Sequence, residues 1–425
     1  MKRANLILMA ALAAAGLTSV TGALLAPAVA VAAAEGQKIG AKMAKPLRAA
    51  QEAIAAKNFD AALAQLAEAA AIEPKTPYEA FMVDELGWYA MVQKKDYAAA
   101  ADTLARTVGS GFVPEADLPR RYKALTQLNY ELKRYPKAIE YGKKALELSP
   151  GDAEVALLVG HSFYLGDDFA GARAWVDGQL AAGGKPNEQL LLIGLRSNYE
   201  LNDKQGTMRA LESLLRHYPA QKYWTDLLNN QLYETKADRD LRALYRLMVD
   251  TNTLSKAEEY SEMVTTLMTG GFPTEAKLIL ERGLAANVFT GDSLTRAQAD
   301  LQRARVGADA DRKELPGADA ALAAAKTGNE MIAMGKLFFS VGDYGKAADA
   351  FRKGLAAGLG PKGGDVDDAN ALLGIALVRS GKSSDATEAF DKVRDPKLAE
   401  VTRLWKLYIE TTTQAAAPPA AAPAG

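Results

Sequence analysis

The sequence predicts an all-α solenoid of about nine to ten helix pairs, and three observations predict it. The first is self-similarity at about 34 residues. Tyr122, Leu125, Tyr135, Ala138, Ala145 and Pro150 have counterparts in Ala156, Val159, Gly160, Phe169, Ala172 and Gln179, and again in Leu191, Gly194, Lys204, Thr207, Leu214 and Pro219. The second is that each period reads as two amphipathic helices, each with one buried face, as in Tyr122, Leu125 and Leu128 followed by Ala138, Ile139 and Ala145. The third is a small residue on the second helix with a closing turn such as Ser149-Pro150-Gly151-Asp152, where Pro stops one helix and Asp caps the next. A unit of this size cannot bury its apolar face alone, so neighbours must stack.

Taken in order, residues 1–34 read as a secretory leader. Lys2 and Arg3 form a short positive start and an apolar stretch begins at Leu6–Leu12. Cleavage sites follow at Ala28-Val29-Ala30 and Ala32-Ala33-Ala34. The rival is an uncleaved anchor, against which stand Thr18, Ser19, Thr21, Gly22 and Pro27. Cleavage after Ala30 or Ala34 takes the net charge from -1 to -3. The chain has no cysteine, which excludes a disulfide framework, a thiol nucleophile and a lipoprotein anchor. The expected location is a bacterial periplasm, with no integral span after cleavage.

A lead-in at 35–42 precedes an array over 43–290, with units starting at 43, 80, 119, 153, 188, 222 and 257. Units starting at 328 and 367 complete the pattern. Residues 291–327 are expected to hold a degenerate pair, Ser293–Arg305 and Ala318–Lys326, joined by a loop with Pro316-Gly317. Residues 328–414 hold the C-terminal units and a terminal helix, with Gly342-Asp343-Tyr344 repeating the turn before Ala347 and Phe351. Residues 415–425 contain only Ala, Pro and Gly and are expected to be disordered.

The common catalytic and metal spacings are missing, and only His161 and His217 are present. The expectation is a non-enzymatic chain without cofactor or metal. The stretch from Gly354 to Gly364 follows a helix rather than a strand, so it reads as an inter-repeat loop and not a phosphate cradle. Asp365, Asp367 and Asp368 lack the remainder of a calcium loop and read as charge at a helix start. Glu258-Glu259 typifies carboxylate pairs on solvated faces. A net charge of -1 gives no basic field for nucleic acid.

One pattern points to a binding surface. Tyr130, Tyr164, Tyr199 and Tyr233 occupy position 12 of four successive units, at spacings of 34, 35 and 34. Arg120, Lys123, Gln127, His161 and Arg196 fall at positions 2, 5 or 9. Tyrosine offers apolar area and a hydroxyl at low entropy cost, which favours it in binding surfaces. Packing between repeats competes for the same position, and a half-buried histidine is the plain reading of His161.

The 34-residue unit with its small helix-B residue resembles the tetratricopeptide repeat (TPR) family over about 43–400. Leu241 and Val264 depart from the small-residue pattern. The resemblance implies a right-handed superhelical solenoid whose positions 9 and 12 face a concave groove. It implies partners that are protein or peptide segments, and the basic-aromatic character of Arg120, Lys123, His161 and Arg196 beside the tyrosines points to segments with acidic groups. A narrower resemblance lies in Lys222-Tyr223-Trp224, Gly271-Phe272-Pro273 with Glu275-Ala276, and Phe390 followed by Trp405-Lys406-Leu407-Tyr408-Ile409. This looks like periplasmic TPR accessory proteins of TonB-linked uptake systems, which implies TonB-type or outer-membrane receptor partners. The alternative is an envelope assembly scaffold for polysaccharide export or outer-membrane biogenesis.

Overall fold

A computed structural model describes residues 37–183, 185–360 and 365–416. The leader expected at 1–34 and positions 417–425 of the expected tail lie outside the described residues. The described residues are helical, in adjacent antiparallel pairs that make a TPR-like repeat array. They divide into two compact units between Lys204 and Gln205.

Unit 1 holds α1 (Ala41–Ala55), α2 (Phe59–Ala70), α3 (Pro77–Gln93), α4 (Tyr97–Gly109), α5 (Leu118–Glu131), α6 (Tyr135–Leu148), α7 (Ala153–Leu165), α8 (Phe169–Ala181) and α9 (Glu188–Glu200). One turn makes each pair. A single residue in the left-handed region ends the first helix: Lys57, Lys95, Lys133, Asp167 and Asn202, with φ between 53° and 63°. The next amide then reaches back five residues, as in Asp96 N–H to the Met91 carbonyl at 2.9 Å and Arg134 N–H to the Asn129 carbonyl at 2.8 Å. Asn58, Asp96 and Asp168 cap the second helix by accepting from Ala61, Ala99 and Gly171. Small residues let the pairs close. Ala138 is fully buried, and a Cβ added to Gly142 would stand 2.3 Å from Val159 Cγ2.

One buried ion pair joins repeats in unit 1. Glu85 on α3 accepts from Arg121 on α5 and from the Trp88 indole at 3.1 Å, while the guanidinium lies 4.9 Å from the Trp88 ring centroid. Burial pushes the Glu85 carboxyl above its ordinary range, and Arg121 only partly offsets this.

Unit 2 holds α10 (Lys204–His217, of which Lys204 falls in unit 1), α11 (Gln221–Glu234), α12 (Asp238–Asp250), α13 (Ala257–Gly270), α14 (Pro273–Ala285), α15 (Gly291–Glu314), α16 (Ala318–Ala324), α17 (Gly328–Ser340), α18 (Tyr344–Ala357), α19 (Val366–Arg379), α20 (Ser383–Phe390) and α21 (Pro396–Ala416). The helix expected at 293–305 runs nine residues further, to Glu314. Gly307 does not stop it, because that glycine serves packing: a Cβ there would stand 2.4 Å from the Pro273 Cβ. Likewise α21 reaches Ala416, two positions into the segment expected to be disordered.

Strict neighbour-to-neighbour stacking fails in unit 2, which closes on itself. The Trp405 indole of α21 donates to the Ala243 carbonyl of α12 at 3.0 Å and is fully buried. Arg403 binds Glu212, and Arg216 lies 3.2 Å from Glu410. Every residue of α12 from Asp240 to Met248 is consequently buried. At its centre Arg246 grips Glu275 at 2.7–3.2 Å while lying 4.3 and 4.4 Å from the Phe272 and Phe339 ring centroids. Arg379 of α19 joins them, binding Asp250 at 3.0 and 3.1 Å, Glu275 at 3.5 Å and the Tyr344 hydroxyl at 3.1 Å. Burial would raise the Glu275 carboxyl, but Arg246 and Arg379 outweigh it and hold the group below the ordinary value of 4.5.

Candidate functional site

The candidate site is a row of side chains on the first helices of three successive repeats in unit 1. Each of α5, α7 and α9 buries one side, as Val155, Ala156 and Val159 do on α7. Among the residues left open is a stripe at steps of three and four residues, which brings side chains to one helix face. On α7 that stripe is Leu157, His161 and Tyr164, all half-buried. On α9 it is Leu192 and Arg196, half-buried, and Tyr199, which is 47% exposed.

The stripes join side to side. The Tyr130 and His161 rings stack across α5 and α7 at 6.3 Å with 26° between planes. Arg196 of α9 acts electrostatically on both His161 and Tyr164. Burial first, then Arg196, pushes the His161 imidazole below its ordinary value, so it is neutral at pH 7. Burial raises the Tyr130 and Tyr164 phenols, which therefore remain protonated.

The basic groups expected to line the row are not equivalent. Arg120 is exposed and pairs with Asp117 on its own turn at 3.3 Å. Lys123 binds Asp152 at 2.9 Å and Glu154 at 2.8 Å, and Gln127 donates to Glu154 at 2.9 Å. Burial lowers the Lys123 amine, but the two carboxylates outweigh it and raise it. These two residues tie the α5 repeat to the start of α7, so their polar groups are already engaged. Arg196 makes no hydrogen bond or ion pair among the described residues.

The four tyrosines also divide. Tyr130 lies edge-on to Tyr135 at 6.3 Å and Tyr164 to Phe169 at 5.4 Å, so both pack on the aromatic that opens their own second helix. The corresponding positions after Tyr199 and Tyr233 are Lys204 and Asp238, and these two tyrosines are 47% and 73% exposed. Tyr233 belongs to unit 2, where Lys236 sits 5.5 Å from its ring centroid. The sequence reading overlooked Leu157 and Leu192, whose signal was an apolar residue at position 5 of a helix already filled on its other faces.

The remaining sequence candidates have plain structural places. Asp365 caps α19 by accepting from Asp367 N–H at 3.0 Å and Asp368 N–H at 3.1 Å. Asp367 accepts from the amides of Arg394 and Asp395 at 2.9 Å. Gly363 and Gly364 lie outside the described residues. Among the described residues no group of three His, Asp or Glu side chains could hold a metal, and no helix is long and apolar enough to cross a membrane.

No protein-family model matches the sequence, and no curated protein matches it. Among solved structures, the chain is similar to Naa15/Naa10 bound to HypK-THB, at 13% identity and a TM-score of 0.38, over 90% of this chain and 69% of that one. It is similar to a tetratricopeptide repeat protein from Parabacteroides merdae, at 14% identity and a TM-score of 0.29, over 80% of this chain and 100% of that one. It is also similar to the TPR2AB domain of yeast Sti1 in its complex with pHSP90, at 15% identity and a TM-score of 0.24, over 70% of this chain and 99% of that one. These likenesses concern the fold alone.

Proposed function

We propose that this chain is a non-enzymatic scaffold of TPR type that holds an extended or helical peptide segment with acidic groups along the α5–α7–α9 row. One observation carries the reading. Arg196, half-buried and without a partner among the described residues, stands in a stripe of apolar and aromatic side chains whose other cations are already paired. A carboxylate placed there gains a charge-assisted bond to a guanidinium, while Leu157, Leu192 and Tyr199 supply apolar contact. Neutral His161 and protonated tyrosines add hydrogen-bonding capacity without repelling an anion.

The finer proposal is a periplasmic accessory of a TonB-linked uptake system, working with TonB-type or outer-membrane receptor proteins. The leader-like residues 1–34 and the short motifs that resemble such accessories support it. The motif residues share one core in unit 2. Trp224 meets Tyr408 at 6.1 Å, Trp405 meets Tyr408 at 5.9 Å and Phe390 at 6.4 Å, and Phe272 and Glu275 enclose Arg246. The resemblance therefore supports kinship in how unit 2 packs, and the partner surface is assigned separately to unit 1.

The test is a crosslinking capture from envelope extracts with the wild type and an Arg196→Ala/Tyr199→Ala variant. Neither side chain is part of the buried core, so the variant should fold. Capture of TonB-type or receptor proteins by the wild type alone supports the full reading. Capture of export or assembly proteins keeps the row and removes the uptake role. Equal capture by both chains removes the row.

A further inference from the structure

Unit 2 contains one buried and one half-buried cation whose hydrogen-bonding capacity is largely unused. Arg242 of α12 is 6% exposed. Its Nε is buried with no partner, its Nη1 reaches only the Thr266 carbonyl at 3.3 Å, and the Asp368 carboxylate stops 3.6 Å from Nη2. Lys336 of α17 is half-buried, has no carboxylate partner among the described residues, and reaches the Gly270 carbonyl at 3.4 Å. Both converge on the C-terminal end of α13. A Cβ on Gly270 would stand 2.9 Å from Arg242 Nε, so the guanidinium lies flat against that glycine.

The neighbouring Arg246 shows what satisfaction looks like here, with three bonds to Glu275 at 2.7–3.2 Å. Arg242 offers five donors and spends one on a contact near the long limit. The end of a helix carries about half a negative charge, too little to balance an arginine and a lysine. Burial lowers the affinity of both groups for their protons. Arg246 pushes both further down, Arg242 adds to the effect on Lys336, and Asp368 opposes it. Asp368 balances one of the two cations without bonding closely, so what is short is acceptor oxygens for the Arg242 donors beside about half a unit of positive charge.

We propose that Arg242 and Lys336 form an oxyanion site at the α12–α13–α17 junction, taking a single phosphate or carboxylate group. Lys336, the more accessible of the two, is the entry side, and Arg242 is the floor. Asp368 is the built-in competitor, since an arriving anion must share the guanidinium with it. The group can arrive as a free ion or on an acidic side chain of a partner. This site is separate from the row in unit 1 and does not depend on it.

The experiment is thermal unfolding of the full chain during titration with inorganic phosphate, with ionic strength held constant by sodium chloride. A parallel titration uses hexaglutamate, with hexaglutamine as control. The wild type should show a saturable upward shift. Lys336→Met should weaken binding about tenfold or more through loss of a charge-assisted bond. Asp368→Asn should strengthen it, and this variant decides the matter if Lys336→Met folds poorly. Half-saturation by hexaglutamate well below that of phosphate would assign the group to a peptide, and the reverse order would assign a free ion. A shift that never saturates, that is equal in Lys336→Met, or that weakens in Asp368→Asn overturns the site.

Discussion

Both units bury an arginine–glutamate pair between repeats, and the two pairs behave oppositely. In unit 1, Glu85 faces one guanidinium, and burial lifts its carboxyl above the ordinary range. In unit 2, Glu275 is about equally buried yet faces Arg246 and Arg379, which hold it below that range. The difference follows from topology. In unit 1 Glu85 recruits Arg121 from the adjacent repeat, 36 positions away. Unit 2 closes, and Glu275 recruits Arg379 from 104 positions away. A linear stack leaves helix faces open along its length, whereas a closed unit uses them as core. That is why the candidate partner row lies in unit 1, and why α12, a central helix of unit 2, presents no such face.

Glu275→Gln leaves two buried guanidinium groups without their shared carboxylate and should destabilise unit 2 by about 3–5 kcal/mol, measured by chemical denaturation. The same group sets an acid dependence. Its folded value lies below the unfolded one, so its contribution is present above about 4.5 and is lost as pH falls through the lower folded value. Glu85 has the opposite sign: its folded value lies above the unfolded one, so acidification through that higher value relieves a cost. Denaturation curves at pH 7 and pH 4 should therefore show unit 2 weakening more than unit 1, and Glu275→Gln should remove most of the contrast.

Next in size is Ala138→Leu, which overpacks a fully buried contact in unit 1 and should cost about 1–3 kcal/mol by denaturant midpoint. Glu85→Gln should cost less than Glu275→Gln, about 1–2 kcal/mol, because removing a poorly compensated charge offsets part of the loss at Arg121. An equal or larger cost would contradict the comparison. The smallest effect should be a gain. Lys133→Gly relieves a left-handed residue at φ 56° and should stabilise unit 1 by about 1 kcal/mol in a thermal melt.

The helix pairs were legible because a 34-residue period carries small residues, caps and apolar faces in fixed order. The turn that makes each pair was legible at Gly342 and Gly381, where glycine marks the left-handed position. It was hidden at Lys57, Lys95 and Lys133, because lysine has no preference that announces positive φ. Closure of unit 2 was hidden for another reason. Trp405 stood out only as part of a short family-like motif and Arg379 carried no signal, and their partners lie 162 and 129 positions away. In the row, the tyrosine spacing was plain. The packing of Tyr130 on Tyr135 and Tyr164 on Phe169 was present as a five-residue offset between aromatics. The engagement of Lys123 by Asp152 and Glu154 could not be read without knowing how the repeats sit.

The most direct measurement places a photo-crosslinking amino acid at Leu157 or Leu192 in the row and, in separate chains, at the exposed apolar positions Leu278 and Val306 of unit 2. Irradiated envelopes should yield partner adducts from Leu157 and Leu192 and none from Leu278 or Val306. Adducts confined to the unit 2 positions would contradict the assignment of the partner surface to unit 1.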